Sequence, residues 1–138
     1  MSMSIPRTAL RRDPDDSSTY MRISPKFTLT THRNEELKMM WDGAFLSSDG
    51  EIVLIEEERC RPVEIHIQGH VARLGLMIHQ GINVRKCIWV CEKVEFEQLK
   101  RIVESIRNAL FGAWGVITPP CDYLDTDGKV MGHSGVVR

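Results

Sequence analysis

The chain has 138 residues, 42% of them hydrophobic and 27% charged, with 18 basic against 19 acidic side chains. That length suits one domain around one core, and the near-neutral balance excludes a strongly basic nucleic-acid coat. No apolar run approaches a bilayer span, and four cysteines are too few for a disulfide scaffold of this size.

The opening Met1-Ser2-Met3-Ser4-Ile5-Pro6 lacks the apolar core of a secretion signal. A cytoplasmic setting with reduced Cys60, Cys87, Cys91 and Cys121 is therefore expected. Residues 1–26, with Pro6, Arg11, Arg12, Asp13, Pro14, Asp15 and Asp16, offer little to bury, and a flexible N-terminal arm is expected there. A short strand is predicted over residues 27–31. Asn34 either caps a helical turn carrying Glu35 and Glu36, or the chain is already extended by Leu37.

A strand over residues 39–46 follows, then a Ser48-Asp49-Gly50 turn and a second strand over 51–57. Turn chemistry accounts fully for Asp49. Pro62 suits a helix start, and Ile67, Val71, Leu74 and Ile78 recur at helical spacing. The spacing predicts an amphipathic helix over 63–80, stopped by Gly81. Residues 84–90 read as a third strand. Phe96, Leu99, Ile102, Val103, Ile106 and Leu110 form a regular helical stripe, and 116–118 reads as a last short strand before Pro119-Pro120.

A strand-helix-strand crossover implies a parallel pair, whereas the opening hairpin is antiparallel. The expected fold class is α/β: one domain over 27–120, a mixed sheet with flanking helices in the order hairpin, crossover helix, parallel strand, C-terminal helix. Residues 121–138 are expected to form an irregular tail.

The hairpin holds the chemistry. Asp42 lies on its first strand, and Glu56-Glu57-Glu58 ends its second. Alternation puts Glu56 and Glu58 on one face and Glu57 on the other. Asp42, Glu56 and Glu58, with the Glu57 carbonyl, are the kind of oxygen set that holds Mg²⁺ (or Mn²⁺) for phosphodiester hydrolysis. Carboxylates brought this close repel one another, which favours a bound cation or raised proton affinity.

This stretch, Trp41-Asp42 … Ile55-Glu56-Glu57-Glu58 followed by helix and strand, resembles the core of the PD-(D/E)xK nuclease superfamily, the restriction-endonuclease-like fold. The resemblance spans residues 34–110. It matches Asp42 and Glu56 to the family's two acids, while Glu58 stands where Lys is usual and Trp41 where Pro is frequent. Gln68 is similar to a glutamine that some members use near the metal or substrate, and Glu35 or Glu36 could serve as the further upstream acid. The resemblance implies a metal-dependent endonuclease acting on DNA, or on RNA. Cutting two strands takes two sites, and that need motivates a homodimer.

Other constellations are weaker. His66 and His70 sit one helical turn apart without a third zinc ligand; His70 could instead contact DNA or orient a site carboxylate, and His79 closes the helix near its negative end. Lys38, Lys86 and Arg73 read as surface residues, with Arg73 in reach of a phosphate. Cys87, Trp89 and Cys91 share a strand face, and the two cysteines read as small buried thiols. Cys121 reads as a loop residue. Asp125-Thr126-Asp127-Gly128 reads as a turn, and no nucleotide-binding glycine loop occurs. The missing lysine and the balanced charge motivate an alternative: a catalytically inactive module of the same fold, binding a protein partner through Trp89, Phe111 and Trp114.

Overall fold

In the computed structural model, residues 5–58 and 61–136 are described, so Cys60 lies outside them. The elements are α1 (Arg7–Leu10), β1 (Tyr20–Arg22), β2 (Lys26–Thr30), β3 (Glu36–Met40), β4 (Gly43–Ser47), β5 (Ile52–Glu58), α2 (Glu64–His79), β6 (Val84–Cys91), α3 (Phe96–Trp114), β7 (Cys121–Leu124) and β8 (Val130–Ser134), with a 3₁₀ turn at Lys93–Glu95 before α3. The fold is α/β with a mixed six-stranded sheet in the order β1-β4-β5-β6-β7-β8; β2 and β3 form a separate antiparallel ribbon.

The hairpin closes as its sequence predicts. Gly43 faces Ile55 and Ala44 faces Leu54 across β4–β5, and Gly50 takes the turn's positive φ of 84°. The α2 crossover then sets β6 parallel to β5, with Leu54 opposite Cys87 and Glu56 opposite Trp89. α3 stops at Gly115, whose φ of 67° and N–H bond to the Phe111 carbonyl make a left-handed cap.

Alternation along the strands divides the core in two. Ala44, Leu54, Cys87, Trp89 and Tyr123 pack beneath α2 and α3 through Ile67, Val71, Leu74, Leu99 and Val103. Val53, Ile55, Ile88, Val90 and Leu124 face the other way, against Ala9, Leu10, Ile5 and Tyr20. Each fully buried aliphatic side chain contributes about 1.5–3 kcal/mol relative to exposure.

That second layer corrects the expectation of a flexible arm. Leu10 is 2% exposed, and the Lys86 ammonium donates to the Ala9 and Arg11 carbonyls. Lys86 is thus buried, not at the surface, and its charge is matched by Asp122 at 2.8 Å. The sheet needs the face turned away from α2 and α3 covered, and Ala9 and Leu10 of α1, with Ile5 and Tyr20, are the few apolar residues of a polar segment that do so.

The stretch expected to be a single strand over 39–46 is broken at Trp41–Asp42. The Trp41 N–H bonds to the Pro25 carbonyl, extending the ribbon, while the Asp42 N–H bonds to the Ile55 carbonyl in the main sheet. The chain changes partners between those two residues. Asn34 caps no helix; it takes a turn with φ 60° between β2 and β3. No strand forms at 116–118. Thr118 is buried as a side-chain acceptor for Arg107, and pairing to β6 starts only where the Pro120 carbonyl meets the Cys87 N–H.

The expected irregular tail is β7 and β8, so Cys121 begins a strand and is buried. A hydrogen bond between Tyr123 and Ser134 ties the two strands, and buried Arg107 donates to the carbonyls of Pro119 and Gly135. The turn at Asp125 forms as read, its carboxylate accepting from the N–H groups of Asp127 and Lys129. Among the described residues no helix is long and apolar enough to cross a membrane.

Candidate metal centre

The acids at the end of β5 alternate as predicted. Leu54 belongs to the helical side of the sheet, so Glu56 and Glu58 follow it there, while Glu57 turns to the face of Val53 and Ile55. On α2, His70 stands three residues after Ile67 and four before Leu74, on the edge of the buried stripe. The crossover therefore lowers its imidazole onto the acids. His70 Nε2 is 2.6 Å from Glu56 Oε2. One ligand atom each from Glu56, Glu58 and His70 lies within 4.8 Å of the others, a set that could hold a metal ion.

Two indoles hold the imidazole. The Trp41 ring centroid is 5.7 Å from that of His70, and the Trp89 ring approaches edge-on at 6.4 Å. Both tryptophans are at most 2% exposed. Trp41, at the strand break, thus acts as a wall of the site, and Trp89 belongs to the core.

Asp42 borders the group. Its main-chain N–H lies 3.3 Å from Glu56 Oε1, and its carboxylate accepts the Glu57 N–H at 2.7 Å. Asp42 is itself exposed, which places it at the mouth of the site.

The electrostatics follow from this crowding. Burial pushes the Glu56 carboxyl from 4.5 up to about 7; the His70 contact opposes the rise and the Asp42 charge adds to it. Burial also raises Glu58, against the pull of His70 and His66 and with the help of Asp42. The hydrogen bond to Glu56 raises His70, aided by the charges of Glu56 and Glu58 and opposed by burial. Three groups thus share a raised affinity for protons, the condition a divalent cation relieves.

Gln68 is exposed on α2, two residues from His70 and so on the far side of the helix from it. It takes no part in the three-residue group. No lysine enters that group either: Lys38 is exposed on β3, and Lys86 lies under the opposite face. Arg73, one turn beyond His70, is exposed yet near enough for its charge to act on the imidazole. His66 is also exposed.

The three described cysteines are buried free thiols. Burial raises Cys91 and Cys121 to about 11 and Cys87 well upward, which favours the neutral thiol at neutral pH.

His70 is the member of the group that the hairpin motif alone does not supply. Its signal in the sequence is a polar residue at a position where the apolar stripe of the helix meets the acidic strand end. No family model, curated protein or solved structure matches this chain.

Proposed function

We propose that this chain is a metal-dependent phosphodiesterase that cleaves DNA, with RNA as a related substrate. One observation carries the reading: Glu56, Glu58 and His70 converge within 4.8 Å on the helical side of a strand end bordered by Asp42. The donor set fits a divalent cation, since two carboxylates and one imidazole leave open positions for water and phosphate oxygens. The imidazole favours Mn²⁺ over Mg²⁺, because a nitrogen donor suits a transition metal better than a hard alkaline-earth ion. Bound there, the cation would supply charge neutralisation and an activated water.

The residues divide the work. Glu56 and Glu58 are the charged ligands, and the burial that raises Glu56 also keeps competing water away. His70 would supply a nitrogen ligand, and its Nε2 would exchange the contact with Glu56 for the cation. Asp42 at the mouth adds negative charge that favours cation entry. Arg73, exposed one turn beyond His70, would meet a substrate phosphate. Two chains acting together would supply two such sites for the two strands of a duplex.

Incubation of supercoiled plasmid with the protein and Mn²⁺ should give nicked circles, and Glu56→Gln should abolish them. Equal inertness of wild type and variant across DNA and RNA would end the hydrolytic reading. The alternative, a binding module without chemistry, draws on Trp114 and Ile117, 78% and 52% exposed around the end of α3. Trp89, fully in the core, contributes nothing to such a surface.

A further inference from the structure

The β2–β3 ribbon has an inner and an outer face. Phe27, Leu29, Leu37 and Met39 turn inward onto the main core. Lys26, Thr28, Lys38 and Met40 turn outward, with Lys26 opposite Met40 and Thr28 opposite Lys38. All four are exposed, Met40 by 56%. They line much of a shallow groove of about 400 Å³.

Two features separate this face from an ordinary solvated strand. Lys26 and Lys38 are diagonal neighbours, and neither has an ion pair among the described residues. Diagonal positions on one face lie about 7–8 Å apart, so Lys26 and Lys38 set two neighbouring cations on one strip of the ribbon. The acid sharing the face, Glu36, lies at the far end opposite Thr30. The lysine end is the one that runs into Trp41 and Asp42, against His70 and Glu56. The cations are thus continuous, along the chain, with the mouth of the metal centre.

We infer that the outer face of the β2–β3 ribbon docks the phosphate backbone of duplex DNA and leads it to the metal centre through Lys26 and Lys38. The choice of DNA rests on the proposed function; the charge match does not. Two exposed lysines give a contact that salt weakens. Each neutralised phosphate adds about 0.9 to the slope of log affinity against log salt.

The test is anisotropy of a labelled duplex with metal-free protein in EDTA, so that docking and cleavage fail separately. Between about 50 and 200 mM salt, the wild-type protein should lose roughly tenfold more affinity than Lys26→Gln/Lys38→Gln, whose salt slope should fall by about 2. Lys38→Glu should weaken binding at the lowest salt beyond Lys38→Gln. Lys129→Gln, in the β7–β8 turn, should change neither slope nor affinity. The inference is overturned if the double variant keeps the wild-type slope. It is overturned equally if Lys129→Gln lowers the slope as much, or if wild-type protein does not bind the duplex at the lowest salt.

Discussion

Burial of Glu56 beside His70 makes the stability of the metal-free protein depend on pH in an unusual direction. A carboxyl raised from 4.5 to about 7 on folding binds its proton more tightly in the native state than in the unfolded chain. Its penalty is absent below 4.5, grows as the pH rises, and is complete above about 7. A shift of that size corresponds to on the order of 3 kcal/mol, an appreciable share of the stability of a small domain.

Glu58 and His70 are raised as well, so both act with the same sign. The His70 contribution is full below 6.5 and lost as the pH climbs past its raised value. Asp16 is shifted the other way, first by its hydrogen bond from Tyr20, and its effect falls below 3.8, outside this window. Urea unfolding in EDTA should therefore show stability falling from pH 5 to pH 8. Glu56→Gln, which cannot ionise, should flatten most of that slope and be more stable than wild type at pH 8. Added Mn²⁺ should restore the wild-type protein at pH 8 and do little at pH 5, where the ligands hold protons. A Glu56→Gln curve that follows wild type across the range would refute the reasoning.

Other consequences are as specific. Leu10→Ala removes the apolar plug of the N-terminal segment from beneath Val53, Ile55 and Ile88, and should cost about 2–5 kcal/mol by denaturant unfolding; an effect under half a kilocalorie would mean the segment is not docked. Gly132→Ala places a Cβ within 2.6 Å of the Phe96 ring, so it should destabilise by about 1–3 kcal/mol although the residue lies on an edge strand. Gln68→Ala should leave Mn²⁺ affinity unchanged in calorimetric titration while His70→Ala weakens it at least tenfold; the reverse ranking would exchange their roles.

The parts of this structure that the sequence reveals are those where one residue pattern has one physical solution. Alternation set Glu56 and Glu58 against Glu57, Asp49-Gly50 could only turn, and the stripe from Phe96 to Leu110 could only be a helix. The parts it conceals depend on distant partners. Cys121 to Ser134 reads as a polar tail because β7 is completed by the β6 edge and by Arg107, more than ten residues away. Ala9 and Leu10 read as solvated because nothing local says that the sheet's second face is bare. Lys86 reads as exposed until the segment above it supplies carbonyls. Within the site, the acids are visible in the hairpin, but His70 joins them only because the length of the crossover sets the register of α2 over β5. Asp42, on the same hairpin, stands at the rim because the chain changes sheets beside it.

The centre of this account is that Glu56, Glu58 and His70 are ligands of one cation. A crystal soaked with millimolar Mn²⁺ at pH 8 and measured for anomalous scattering tests that directly. A single peak about 2.0–2.3 Å from a Glu56 oxygen, a Glu58 oxygen and His70 Nε2 is the predicted result. Full soaking with no peak among these three side chains, or Mn²⁺ bound elsewhere while His70 keeps its contact with Glu56, would contradict it.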